Sequence, residues 1–203
     1  MRIVINRDFP QQRLIKKVVQ ILKDGGVIAY PTDTIYGIGC DIFNKKGIEK
    51  IYQIKKREKN KPMSFICADL SDISQYAIVS NYAYRIMRRC LPGPYTFVLE
   101  ASSKTPKKIM SKRKTVGIRI PDHKICLAIV AELGHPLITT SANISTEEEL
   151  NNPDDIEDKL GHLLDLIIDE GPLISEPSTI VDLTGDSPAV LREGKGDIKK
   201  ITG

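Results

Sequence analysis

The chain has 203 residues, of which 41% are hydrophobic and 28% are charged, a composition that is typical of a globular protein. Its formal net charge of +4 permits a nucleic-acid or nucleotide partner without requiring one. Since domains average roughly 150 residues, we expect one domain over residues 1–203, large enough to fold without disulfides or a structural metal.

The four cysteines include no CxxC pair and no histidine at ligand spacing, so we expect reduced, buried thiols and neither a zinc site nor a redox pair. The N-terminal segment has no apolar stretch of signal-peptide length. No later segment reaches the roughly 18 apolar residues of a membrane span. We therefore expect a cytoplasmic protein with no membrane partner.

The first predicted element is a surface helix between Pro10 and Gly25, with an apolar face at helical spacing. Strands are predicted at "GVIAYP", "MSFICA", "YTFVLEA", "TVGIRI", "PLITT", "LIID", "STIVDL" and "AVLR". Helices are predicted at about 46–55, 81–90, 123–132 and 154–165. Some strand pairs have no room for a crossover helix between them, so the sheet should be mixed and covered on both faces.

Two segments between these elements are predicted to be irregular. "YGIG", residues 36–39, is interpreted as a tight turn, because no GxxxxGK[ST] phosphate loop occurs in the chain. The acidic segment of residues 145–158 is interpreted as a solvated loop that caps the following helix.

A basic run follows the second predicted helix. Ile48, Ile51, Tyr52 and Lys55 have the spacing of one helix face, so Lys55 extends an apolar stripe. Arg57 projects to the same side if the chain becomes extended there. The two cations either bind an anion such as phosphate or form a solvated basic turn with both side chains reaching water.

A second polar cluster follows the strand at "PLITTSANIS". At strand spacing Ser141 and Asn143 point to one side, where small donors let a ligand approach the backbone. An ordinary turn, capped by the same side chains, is the alternative interpretation.

Taken together, the motifs resemble the YrdC/YciO family, which has the threonylcarbamoyl-adenylate synthase fold. The resemblance covers nearly the whole chain and is carried by "GGVIAYPTDTIYGIGCD", "KKREKNKP", "LPGPYTFVL", "TVGIRIPDH", "TTSAN" and "STIVDLTGDSPAVLREG". It implies an α+β three-layer domain with a twisted, mixed, largely antiparallel sheet flanked by helices. The additional C-terminal domain of longer synthases is not expected here.

The implied activity is that of a nucleotidyltransferase, which condenses L-threonine, bicarbonate or carbon dioxide, and ATP into threonylcarbamoyl-AMP and pyrophosphate. A separate transferase then uses this product to modify tRNA. Carried over by motif, Lys55 and Arg57 hold the ATP phosphates, and Thr115, Asn143 and Arg192 complete the nucleotide site. Mg²⁺ is expected on the phosphate oxygens, without dedicated protein ligands.

The same resemblance places Thr32, Arg119, Ser141 and Ser178 around the threonine, with Arg119 opposite its carboxylate. The implied catalytic residues are Lys55, Arg57, Ser141 and Asn143.

Within the family the chain is more similar to the YciO branch. "TTSAN" lacks the proline that synthases usually have before the serine, and Thr146 replaces their usual glycine. Two alternatives therefore remain open. The protein could hydrolyse threonylcarbamoyl-AMP, or it could bind double-stranded RNA or tRNA through basic segments such as residues 85–89 and 104–114.

Overall fold

A computed structural model describes residues 1–56, 63–144, 148–174 and 176–202. In these ranges eleven strands form one sheet. The strands are β1 (Arg2–Val4), β2 (Ile28–Tyr30), β3 (Gly37–Asp41), β4 (Ser64–Ile66), β5 (Ala77–Ile78), β6 (Tyr95–Ala101), β7 (Thr115–Arg119), β8 (Leu137–Ser141), β9 (Leu166–Asp169), β10 (Thr179–Asp182) and β11 (Ala189–Arg192).

The sheet has the order β1-β9-β2-β3-β8-β4-β7-β6-β10-β11, with β5 beside β6. The β1–β9, β2–β9, β4–β7 and β6–β10 ladders are parallel, and the other ladders of this sheet are antiparallel. The expected mixed, largely antiparallel sheet is confirmed.

Seven α-helices lie in the described ranges, together with a short 3₁₀ helix at Lys107–Ile109. They are α1 (Gln12–Lys23), α2 (Lys45–Ile54), α3 (Leu70–Tyr76), α4 (Asn81–Cys90), α5 (Lys124–Leu133), α6 (Pro153–Leu160) and α7 (Lys199–Thr202). No helix of the described ranges is long and apolar enough to cross a membrane.

Alternating strand residues divide the core into two clusters, one on each face of the sheet. In β2, Ile28 and Tyr30 pack with α1 and α5, whereas Ala29 belongs to the cluster that includes α2, α3, α4 and α6. Because successive strand side chains point to opposite faces, this division confirms helices on both faces and three layers. Fully burying one Ile or Leu side chain contributes about 1.5–3 kcal/mol, so these two clusters are the main stabilising feature.

The bounds predicted for α4, β6, β9 and β11 are confirmed. The predicted helix at 154–165 is shorter, because α6 ends at Leu160 with Gly161 as its C-cap. All four cysteines are free and buried, as expected.

The prediction of a turn at residues 36–39 is wrong, because Gly37 and Gly39 lie in β3. A Cβ on Gly39 would stand 2.3 Å from the Ile138 carbonyl oxygen and 2.9 Å from the Tyr30 ring. These glycines therefore allow β3 to lie tightly between its neighbours, and they do not form a turn.

Candidate functional site

A cleft of about 340 Å³ lies on the same sheet face as α1 and α5, beyond the area that these helices cover. Along β8 this face changes from core to cleft. Leu137 packs in the core, while Thr139 and Ser141, on the same face, line the cleft. The lining residues are Thr32, Ile35, Tyr36, Gly37, Met63, Ser64, Thr96, Val98, Thr115, Val116, Gly117, Arg119, Thr139, Thr140, Ser141, Glu149, Ser178, Ile180 and Arg192.

Lys55 is held at one edge of this cleft by the end of β8. Helix α2 starts at its N-cap Asn44, whose side chain accepts from two backbone N–H groups, and ends with Lys55 as C-cap. Lys55 is 3% exposed, which confirms that it extends the buried stripe. Its Nζ donates to the Ser141 carbonyl at 2.9 Å and to Asn143 Oδ1.

Ser141 and Asn143 form one cluster with that lysine. Strand β8 ends at Ser141, and the Asn143 N–H donates to the Ser141 carbonyl at 3.0 Å, so a turn and not a continued strand brings the two side chains together. The Ser141 hydroxyl donates to Asn143 Oδ1 at 2.7 Å and lies 3.5 Å from the lysine ammonium. The geometry joins two predicted motifs that lie 86 residues apart in the chain. Arg57, the other predicted cation, lies outside the described residues.

Arg119, in β7, brings a buried guanidinium to the cleft. One of its terminal nitrogens donates to Asp33 and to Thr34 Oγ1, both at 2.9 Å. Its Nε is buried, and no hydrogen-bond partner lies within the part of the chain that the structure describes. A buried N–H without a partner is costly, so this edge of the guanidinium is suited to a ligand acceptor.

Arg192 reaches the cleft from β11. Its guanidinium donates twice to the Ser178 carbonyl, at 3.1 and 2.8 Å, and the Ser178 hydroxyl pairs with Thr96 at 2.8 Å. Burial lowers the pKa of Arg192, while the charge of Glu149 raises it. With a reference pKa of about 12.5 or more, arginine stays cationic at neutral pH.

The two predicted threonines also line the cleft. Thr32 is 3% exposed, and its hydroxyl donates to the Ile35 carbonyl at 2.7 Å. The Thr115 hydroxyl pairs with Ser111 at 2.6 Å. The fold thus brings the predicted site residues that it describes to one cleft and its edge.

Sequence reasoning missed Asp33, Thr34, Thr96 and Glu149. Asp33 follows the predicted strand "GVIAYP", where an acidic residue commonly caps a turn, and no local pattern pairs it with an arginine 86 residues later. Glu149 lies in a run of acidic residues that looks uniformly solvated.

The described residues contain no group of three or more His, Cys, Asp or Glu that could hold a metal ion. His123, the N-cap residue of α5, is buried, with its Nε2 2.7 Å from Glu170. Apart from Glu149, the described polar groups at the cleft and its edge are cations, hydroxyls and an amide, a set suited to anionic ligand groups.

The fold and cleft define a three-layer α+β protein with a cationic, hydroxyl-lined ligand site. The chain belongs to the Sua5/YciO/YrdC family, whose model, described as "Telomere recombination", matches residues 20–194. YciO of Escherichia coli K12, itself named as uncharacterized, is 42% identical over 197 residues, covering 96% of each chain. A putative threonylcarbamoyl-AMP synthase of Methanocaldococcus jannaschii is 39% identical over 193 residues, covering 92% of this chain and 90% of the relative.

Two solved structures show the same fold. The crystal structure of E. coli YciO matches with a TM-score of 0.94 at 41% identity, covering 99% of this chain and 98% of that one. P. abyssi Sua5 complexed with L-threonine matches with a TM-score of 0.93 at 28% identity, covering 99% of this chain and 59% of that one. The family therefore includes proteins named as threonylcarbamoyl-AMP synthases and uncharacterized YciO proteins.

Proposed function

We propose that the protein is a threonylcarbamoyl-AMP synthase-like nucleotidyltransferase of the cytoplasm. It condenses L-threonine, bicarbonate or carbon dioxide, and ATP into threonylcarbamoyl-AMP and pyrophosphate. A separate transferase then uses the product to modify tRNA. The observation that carries the proposal is the cleft that combines the Lys55 cluster at its edge with the buried Arg119 and with Arg192, which lines the cleft from β11. Membership of a family with named synthases supports it.

The threonine side of the cleft is assigned from burial and unused donors. The unpartnered Nε of Arg119 is suited to the threonine carboxylate. Thr32 and Ser178 offer hydroxyls at the same cleft. The threonine in the complex of P. abyssi Sua5 supports this amino acid as the substrate.

The nucleotide side is assigned to the remaining cations and small donors. Lys55 and Arg192 supply positive charge to the ATP phosphates, and Arg57 stays a predicted third cation. Thr115 and Asn143 supply hydroxyl and amide groups for the nucleotide. Mg²⁺, when bound through the phosphates, neutralises part of their charge.

The reaction needs no nucleophilic side chain. The threonine amine adds to carbon dioxide and loses a proton, giving a carbamate. A carbamate oxygen then attacks the α-phosphorus, and the bond from that phosphorus to the pyrophosphate oxygen breaks. The protein's part is to align the reactants and to stabilise developing negative charge, for which fixed cations and N–H or O–H donors suffice.

The proposal is tested by measuring pyrophosphate release from ATP in the presence of Mg²⁺, with and without L-threonine and bicarbonate. Release that requires threonine supports synthesis, and the adenylate product is identified by mass spectrometry. If no threonine-dependent release occurs but added threonylcarbamoyl-AMP is cleaved, the protein is a hydrolase that uses the same cleft. That result would overturn the synthase proposal.

Direct RNA binding is the second candidate, and one surface favours it. Arg85, Arg88 and Arg89 line a groove between α4 and α7 together with Tyr82 and Tyr84. If about six cations contact the RNA backbone, the logarithm of the affinity should fall with the logarithm of the salt concentration at a slope near five. The candidate is excluded if double-stranded RNA does not bind, or if its affinity lacks this salt dependence.

A further inference from the structure

Glu149 is the one acidic residue among the cleft-lining residues that the structure describes. Its position is fixed by the two residues that follow it. Leu150 is buried and its N–H donates to the Ala142 carbonyl at 2.9 Å. The carbonyl of Asn151 accepts from Leu173 N at 2.8 Å, and its side chain accepts from Tyr36 N at 3.2 Å. These two anchors directly after Glu149 place it at the cleft wall.

The other described charged residues that line the cleft with Glu149 are Arg119 and Arg192. Arg192 lies within electrostatic reach of both Glu149 and Arg119, since each of these charges shifts its pKa. All three residues line the same cleft. Within the described ranges, the Glu149 carboxylate has no hydrogen bond or ion pair, and neither has Arg119 Nε a hydrogen-bond acceptor. One cleft therefore presents an unpartnered carboxylate and an unpartnered guanidinium edge.

A carboxylate disfavours phosphate groups through like-charge repulsion, so its useful partner is a cation. An α-amino acid carries an ammonium and a carboxylate on one carbon. Such a zwitterion can satisfy Arg119 and Glu149 together without adding net charge between two arginines, whereas a divalent ion would add two positive charges there.

We infer that Glu149 is a specificity-determining residue that receives the α-ammonium group of the amino-acid substrate, opposite Arg119. This inference rests on the proposed function and extends it. It predicts that the cleft selects α-amino acids over the matching α-hydroxy acids, because an ammonium that is hydrogen-bonded to a carboxylate is a charge-assisted pair.

The test measures equilibrium binding of L-threonine and of 2,3-dihydroxybutanoate, in which a hydroxyl replaces the amine, by calorimetry. Wild-type protein, Glu149→Gln and Glu148→Gln are compared. Glu148 is the exposed neighbour in the same segment, so its variant makes the same chemical change outside the cleft. Thermal unfolding of each variant verifies that the isosteric change leaves the fold intact.

We expect Glu149→Gln to bind threonine about 10- to 150-fold more weakly, as for the loss of one hydrogen bond to a charged group. The hydroxy acid should bind wild type and Glu149→Gln alike, and Glu148→Gln should behave as wild type. The wild-type preference for the amino acid is a second readout that needs no variant.

Unchanged threonine affinity in Glu149→Gln, in a wild type that binds threonine, overturns the inference alone. A change confined to the ATP or Mg²⁺ requirement also overturns it, because the carboxylate would then face the phosphates. A wild type that binds no threonine, with or without ATP, overturns the proposed function together with the inference.

Discussion

The Nζ of Lys55 lies 2.9 Å from the carbonyl oxygen of Ser141, 86 residues further along the chain. This contact connects the C-terminal end of α2 to the C-terminal end of β8. This carbonyl and the Asn143 amide oxygen, to which the same ammonium donates, are neutral. The contact therefore orients the ammonium without supplying a counter-charge of its own.

We expect Lys55→Met, which keeps most of the apolar stem, to reduce threonine-dependent pyrophosphate release about 10- to 150-fold. The physical reason is the loss of a charge-assisted hydrogen bond to the developing negative charge. Lys46→Met changes an exposed lysine on the same helix and should retain wild-type rates. Wild-type turnover in Lys55→Met would remove this lysine from the proposed nucleotide site.

The Asp33–Arg119 ion pair should stabilise the fold as well as position the arginine. Both side chains are 8% exposed, so Asp33→Ala leaves a buried charge unpaired and should lower the free energy of unfolding by about 3–5 kcal/mol. Urea denaturation measures this. The control is Asp8→Ala, since Asp8 and Lys124 form an exposed pair at 3.9 Å that should contribute less than about 1 kcal/mol. Equal effects of the two variants would contradict the prediction.

The tight packing of β3 predicts that Gly39→Ala lowers the free energy of unfolding by about 1–3 kcal/mol, because the new methyl group meets backbone. Gly185→Ala is the matched control. The nearest atom to its Cβ is 3.8 Å away, so its effect should stay within about 0.5 kcal/mol. A neutral Gly39→Ala would mean that β3 and β8 can separate at little cost.

Stability should fall at alkaline pH. Burial raises the pKa of the Cys40, Cys67 and Cys126 thiols and of the Tyr30 hydroxyl. Above about pH 8.5 the unfolded chain loses thiol protons that the folded protein keeps. The unfolded state then binds fewer protons, so each thiol lowers the free energy of unfolding by about 1.4 kcal/mol per pH unit.

Urea denaturation in a reducing buffer at pH 7.5, 9 and 10 measures this slope. Cys126→Ala should flatten it by the contribution of one thiol. A free energy of unfolding that does not change over this range would show that the thiols titrate alike in both states.

Periodicity predicted the elements whose pattern is long and regular. The apolar face of α1 and the run of β6 are examples, since both present a complete pattern to the core. It did not predict β1, which is three residues long, or β3, whose glycines resemble a turn until the approach of Ile138 is known. Short elements depend on tertiary contacts that are absent from the local pattern.

The site was predictable where side-chain spacing carried the signal. Lys55 falls at a helical repeat, so it could be assigned to the buried face of α2. Ser141 and Asn143 were interpreted either by strand spacing or as a turn, and the structure has the turn. The pairing of Asp33 with Arg119 depends on register between distant strands, which no local spacing encodes. Glu149 has the same chemistry as its exposed neighbour, and only the anchors around it distinguish the two.

The sheet order has a consequence for the order of synthesis. The β1 strand pairs with β9, and β6 pairs with β10. These early strands cannot form their ladders until the later strands have left the ribosome. Contacts of such long sequence separation slow folding. Since Arg192 in β11 completes the cleft wall, a nascent chain cannot form the complete cleft until β11 has been translated. Premature termination before that point should yield inactive fragments with exposed apolar strands, which are targets for chaperones and proteases.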